Sequence, residues 1–178
     1  MKKQILAVAL LVILIASAAG CTNSTPPSNK KNKGVEAVAM DETSGKCGSP
    51  EYDSGTPSSV NYAPNMTNLT DIISVELTLL WTDDYPEEAD VFALNLSVGN
   101  KTASKESNSG AINLILKGDA EGSFLGNLED VKITIECKSA GAYKCGPLGI
   151  WLSCYDPGND WKLTIKIKYM DYTKNKAE

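Results

Sequence analysis

WKLTIKIKY, the run from Trp161 to Tyr169, is the stretch whose reading decides the fold. Trp161, Leu163, Ile165, Ile167 and Tyr169 fall on one side of an extended chain, and Lys162, Thr164, Lys166 and Lys168 on the other. A period of two marks a strand with one face buried and one wet, and such strands belong to antiparallel sheets. The outward lysines also oppose edge-to-edge association of one sheet with another.

The same period recurs upstream. Ile73, Val75, Leu77, Leu79 and Trp81 share a face, as do Phe92, Leu94, Leu96 and Val98. Ile112, Leu114 and Leu116 repeat the pattern, and so do Val131, Ile133, Ile135 and Cys137. A further strand is expected over Leu148 to Tyr155, turned into the last one by the loop Asp156-Pro157-Gly158-Asn159-Asp160. No sustained helical period follows residue 20. Six or seven short strands joined by polar, glycine-bearing loops predict an all-β protein. The expected fold is an antiparallel β-sandwich, immunoglobulin-like or jelly-roll-like, over residues 71–172. Residues 34–70 read as a partly docked arm, with one short strand near Val35 to Met40 and with Cys47, Tyr52 and Tyr62 to staple or dock it. Residues 173–178 read as a disordered tail.

The N-terminus carries an address. In MKKQILAVALLVILIASAAGC, Lys2 and Lys3 form a positive start, Ile5 to Ala19 an apolar run, and Ala18-Ala19-Gly20 the small residues before a cut. The apolar run is shorter than the roughly 20 residues of a spanning helix. The segment resembles the prokaryotic lipobox, with Ala18 where that family usually has leucine. The resemblance implies a signal peptide over residues 1–20, a diacylglycerol on Cys21, and attachment to the membrane outside the cytoplasm. Residues 21–33, polar and proline-bearing, then read as a flexible tether.

Composition narrows the chemistry. The chain has 178 residues, no arginine, no histidine and a net charge of −5, which becomes −7 once Lys2 and Lys3 are removed. Without arginine and with the wrong sign of charge, nucleic-acid binding is not expected. Without histidine, neither a Ser–His–Asp nor a Cys–His pair can form, nor a histidine-ligated metal site. No cofactor is implied, and no catalytic constellation can be assembled.

Five cysteines leave four once Cys21 is acylated, and an even number in an exported chain reads as two disulfides. The spacings between Cys47, Cys137, Cys145 and Cys154 are 90, 8 and 9, without the close pairs of a zinc site. A strand over Leu148 to Cys154 would separate Cys145 and Cys154 by roughly 25–30 Å. That favours Cys137–Cys145 with Cys47–Cys154, ahead of Cys137–Cys154 with Cys47–Cys145.

Five Asn-x-Ser/Thr acceptors stand at Asn23, Asn65, Asn68, Asn95 and Asn100. Asn95 lies on the outward side of its strand, and the others lie in loops or the tether. Glycosylation sequons beside a prokaryotic lipobox point to an archaeal surface protein. The loop Thr82 to Asp90 gathers Asp83, Asp84, Glu87, Glu88 and Asp90, with Asp156 and Asp160 in another loop. The spacing follows no EF-hand and has no glycine pivot, so the loop reads as solvated and no metal site is assigned. Tyr52, Tyr62, Tyr143 and Tyr155 are scattered and form no evident sugar platform.

Residues 75–98, with Trp81-Thr82-Asp83, Pro86, and Asp90 ahead of Phe92, resemble pre-peptidase C-terminal domains and related surface sandwiches. The resemblance implies an accessory binding or spacer role. Trp81 also reads simply as a core anchor. The expected protein is a lipid-anchored, disulfide-stabilised, glycosylated module at the cell surface. It would be structural or adhesive and non-catalytic, with another surface protein or a glycan as partner. The alternative is a filament subunit in which Val35 to Met40 completes another copy's sheet. A filament subunit would lack a strand of its own; a self-contained module would dock that segment in cis.

Cys21→Ser should abolish lipid attachment without unfolding the domain, since the tether holds no core residue. Detergent phase partitioning reads this out: the Ser variant is expected in the aqueous phase, and retention in the detergent phase would mean an uncleaved anchor.

Overall fold

The computed structural model describes residues 34–48, 56–67, 69–83, 88–120, 123–146, 152–156 and 158–174. The signal segment, Cys21 and the tether lie outside these. The strands are β1 (Val35–Cys47), β2 (Ser59–Tyr62), β3 (Ile72–Trp81), β4 (Val91–Val98), β5 (Lys101–Ser107), β6 (Ala111–Lys117), β7 (Val131–Ser139), β8 (Ala142–Cys145), β9 (Leu152–Tyr155) and β10 (Asn159–Asp171). A single 3-10 turn, Leu128–Asp130, precedes β7.

Two four-stranded antiparallel sheets face each other, ordered β1-β10-β3-β6 and β2-β7-β4-β5. The β8–β9 hairpin stands apart from both. If that hairpin is set aside and the remaining strands are counted one to eight, the sheets read 1-8-3-6 and 2-7-4-5, and the four ribbon pairs 1–8, 2–7, 3–6 and 4–5 each sum to nine. This is the jelly-roll arrangement, a long antiparallel ribbon rolled into two sheets. Of the two sandwich types expected, the topology selects the jelly roll.

The period of two places the core. Leu163, Ile165 and Ile167 of β10, Val75, Leu77 and Leu79 of β3, Phe92, Leu94 and Val98 of β4, and Ile135 of β7 are all fully buried. Each such side chain contributes roughly 1.5–3 kcal/mol through burial. Trp81 stacks on Phe92 across the sheets, ring centroids 4.8 Å apart, so Trp81 is a core anchor. The outer face of the first sheet is charged, with Lys162–Glu42, Lys166–Glu76 and Lys168–Glu36 pairs at its surface.

Four details depart from the sequence reading. The arm at 34–70 supplies β1 and β2, so the sandwich takes in the chain from residue 35 onward instead of from Asp71. β1 pairs with β10 at every position from Val35↔Asp171 to Cys47↔Asn159. β5 is a strand that periodicity did not reveal, because KTASKES offers only Ala103 to the core side. Of the strand expected over Leu148 to Tyr155, the described part Leu152–Tyr155 pairs with β8 instead of joining either four-stranded sheet. Finally, Ile72 faces the core in place of Ile73. The register passes from Lys168↔Ser74 to Tyr169↔Ile72, and this bulge leaves Ile73 unpaired.

Alternation on β10 can be tested directly. Ile165→Ala removes a fully buried side chain and should destabilise the domain by about 3 kcal/mol. Lys166→Ala, on the wet face, should change stability by no more than about 0.5 kcal/mol. Urea denaturation of the two variants checks the contrast.

Candidate functional site

The outer face of the second sheet carries a row of small polar side chains. Asn61 on β2 lies opposite Thr134 on β7, Thr134 opposite Asn95 on β4, and Asn95 opposite Ser104 on β5. The next row runs Lys132, Ser97, Thr102. Strand alternation puts these residues outward because Leu94, Leu96, Ile133 and Ile135 between them point into the core. The Thr134 hydroxyl donates to the Asn61 side-chain oxygen at 2.8 Å, fixing β2 against β7 on this face.

Together these residues form a groove of about 600 Å³, with Tyr62 and Ala63 at its rim. Among the described residues, Lys132 is the one charged side chain lining it. Carboxylates enter only with the following row, Glu136 and Glu106 on either side of Ala93, and Lys138 pairs with Glu136 at 2.7 Å. The groove therefore offers hydroxyl and amide donors and acceptors on a rigid sheet.

Tyr62 is held from below. Its hydroxyl donates to Asp41 Oδ2 at 2.7 Å, the Asn65 N–H donates to the same oxygen at 2.7 Å, and the Glu42 N–H donates to Oδ1 at 3.0 Å. Burial alone would raise the Asp41 carboxyl, but the bonds from Tyr62, Asn65 and Glu42 outweigh it and hold the group below its ordinary value. Burial, and then the Asp41 carboxylate, push the Tyr62 hydroxyl up. This clamp ties β1 of one sheet to β2 of the other. Both partners lie within residues 34–70, so the bond joins two parts of the N-terminal segment to each other.

The sequons part company in the fold. Asn95 sits half-buried in the groove floor between two paired strands. Asn100 is exposed in the turn between β4 and β5, beside Gly99 at φ +59°, and Asn65 is exposed ahead of β3. Asn23 and Asn68 lie outside the described residues. Of the scattered tyrosines, Tyr62 lines the groove, and Tyr52 lies outside the described residues.

The cysteine pairing differs from the expected one. Cys145 is bonded to Cys154 with Cα atoms 5.9 Å apart, so neither Cys137–Cys145 nor Cys47–Cys154 is formed. Antiparallel pairing of β8 and β9 reverses the chain between the two cysteines and brings Tyr143 opposite Cys154. The 25–30 Å separation required a chain without a reversal between the two cysteines, and the hairpin reverses it. Cys47 and Cys137 are free and buried. Burial first, then the charges of Cys47, Asp90 and Asp156, push the Cys137 thiol up to about 12.

The acidic loop is also corrected. Asp90, read as solvated, is fully buried, and Asp156 is 1% exposed, each engaged within the fold. One oxygen of Asp156 accepts the Gly158 N–H at 2.8 Å. Asp84 and Glu87 lie outside the described residues. Among the described residues, no group of three or more Cys, Asp or Glu side chains is placed to hold a metal ion.

The polar row on β5 escaped the sequence reading. Its signal was the Gly99-Asn100 turn between two runs able to pair as a hairpin.

No protein-family model and no curated protein sequence matches the chain. Among solved structures, the chain is similar to FLHE at 8% identity and a TM-score of 0.37, covering 75% of this chain and 96% of that one. It is also similar to a Desmodium yellow mottle tymovirus structure at 11% identity and a TM-score of 0.34, covering 77% and 89%. At these levels the likeness carries no argument about activity.

Tyr62→Phe tests the clamp. Because the Asp41 carboxyl is held below its unfolded value near 3.8, its bonds stabilise the fold fully above that pH and lose their effect as pH falls through the lower folded value. The variant should lose about 1–2 kcal/mol at pH 7, and the gap to the parent should narrow below pH 4. Denaturant titrations at several pH values read it out.

Proposed function

We propose that this protein is a lipid-anchored, non-catalytic binding module of the cell surface, and that it takes a neutral glycan in the groove on the β2-β7-β4-β5 face. One observation carries the reading: a continuous row of amide and hydroxyl side chains, Asn61, Thr134, Asn95 and Ser104, crosses all four strands of the sheet. Sugar hydroxyls are matched by such groups, each able to donate and accept. A rigid sheet also holds them without an ordering penalty on binding. The negative charge of the chain and the lack of arginine argue against a polyanionic ligand.

In this reading, a lipid on Cys21 would hold the module at the membrane surface through the polar tether. Glycans on Asn65 and Asn100 would leave the groove open, whereas one on Asn95 would fill it. The filament alternative gains nothing from the fold, because Val35 to Met40 pairs in cis with β10 of the same chain.

Binding of neutral oligosaccharides to the mature ectodomain, followed by calorimetry, tests the proposal. Thr134→Val combined with Asn61→Ala should weaken binding at least tenfold, since each lost polar contact contributes about 1 kcal/mol and tenfold corresponds to about 1.4. Equal affinity in parent and variant, or no binding to any neutral oligosaccharide, would remove the groove from consideration.

A further inference from the structure

Cys47 closes β1 in the first sheet, and Cys137 lies near the end of β7 in the second. Both belong to the same buried core, at 0% and 1% exposure. A short backbone bridge links their neighbourhoods. The Gly48 N–H, next to Cys47, donates to the Pro57 carbonyl at 2.9 Å, and the Cys137 N–H donates to the adjoining Ser58 carbonyl at 2.9 Å. The Cys137 N–H also comes within hydrogen-bonding reach of the Cys47 sulfur. On the other side, Gly158 at φ +120° lies where any Cβ would strike the Cys47 carbonyl oxygen, so the end of β1 is pinned from two directions.

We infer that Cys47 and Cys137, which stand as neighbouring buried thiols in this structure, are oxidised in the exported protein to a second disulfide, a covalent tie through the core between the two sheets. The inference rests on the exported location proposed above, where such bonds persist. Two thiols give up two protons and two electrons as the S–S bond forms. A small-molecule or protein disulfide takes up both and leaves as two thiols. The timing follows from burial. The thiolate is the attacking species, and burial, which raises both groups, suppresses it in the folded protein. The bond is therefore made during folding, before the core closes.

The tie differs in kind from Cys145–Cys154. That bond spans nine residues within one hairpin, whereas Cys47–Cys137 would fasten the outermost strand of one sheet to an inner strand of the other. It would sit beside Trp161, whose indole faces the Cys47 sulfur. Gly45 makes room there, since a Cβ at that position would approach the Trp161 ring to 2.6 Å.

The experiment is refolding of the reduced, denatured full-length mature chain in a glutathione redox buffer. It is followed by alkylation in denaturant without reduction and by peptide mapping. The expected product carries no alkylated cysteine among Cys47, Cys137, Cys145 and Cys154, and yields a Cys47–Cys137 peptide. A folded product in which Cys145–Cys154 is bridged while Cys47 and Cys137 are both alkylated would overturn the bond. The same mapping on protein recovered from its own cells separates the two claims. Thiols there, with a bridge in the refolded chain, would overturn the exported location and leave the pairing standing. As a second readout, reductant should lower the melting temperature of the parent more than that of a Cys47→Ala/Cys137→Ala variant. An equal shift in both would count against the tie.

Discussion

The pairing of β1 with β10 is the constraint on which the rest of the structure depends. It joins the first strand of the sandwich to the last, thirteen residues against thirteen, without a register break. β10 is thereby enclosed between β1 and β3, and its apolar side is committed to the core. Once Leu163, Ile165 and Ile167 face inward, β1 has no freedom of register. A one-residue slip would turn its inward residues outward and break the Asp41 bonds to Tyr62 and Asn65. Closing the roll this way requires the most distant parts of the domain to meet, the non-local topology that folds slowly.

Polarity in this fold is organised by the same closure. Asp41 stands on the inward side of an edge strand, where an unpartnered carboxylate would be costly. It is satisfied by three donors, two of them in the segment leading from β2. The result is a short β2 held in place as the wall of the polar groove. The strand that shapes the groove is thus fixed partly from the other sheet. Disturbance of β1 is expected to reach the groove through Tyr62 and Asn61, which adjoin each other on β2.

At the end of the sandwich where β1, β7 and β10 terminate or turn, Cys47, Cys137, Asp90, Asp156 and Asn159 are all buried. Such a concentration of polar and polarisable groups in a core is tolerated only with specific partners. An inter-sheet bond between the two cysteines would remove two thiols from that environment and hold the β1 terminus where Gly158 crosses it.

The sequence by itself determined the sheet class and the inward residues of β4, β6, β7 and β10, with those of β3 from Val75 onward. These follow from a period of two, a local property that each strand carries without reference to its neighbours. Only the tertiary structure decided the membership of β1, β2 and β5. The inward residues of β1 and β5 are small or polar, such as Ala39, Thr43 and Ala103, β2 has only four residues, and all three become strands because better-patterned neighbours supply hydrogen bonds. It also decided the groove, whose Asn61, Thr134, Asn95 and Ser104 come from four separate strands and meet only through register. The cysteine pairing lay beyond the sequence for the same reason. Whether Cys145 reaches Cys154 depends on where the chain reverses, and strand propensity does not fix that position. Burial of Asp90 was hidden because an acidic loop reads as solvated until the strands that enclose it are known. Composition and period are local quantities, whereas register, edge pairing and loop enclosure depend on what the rest of the chain presents.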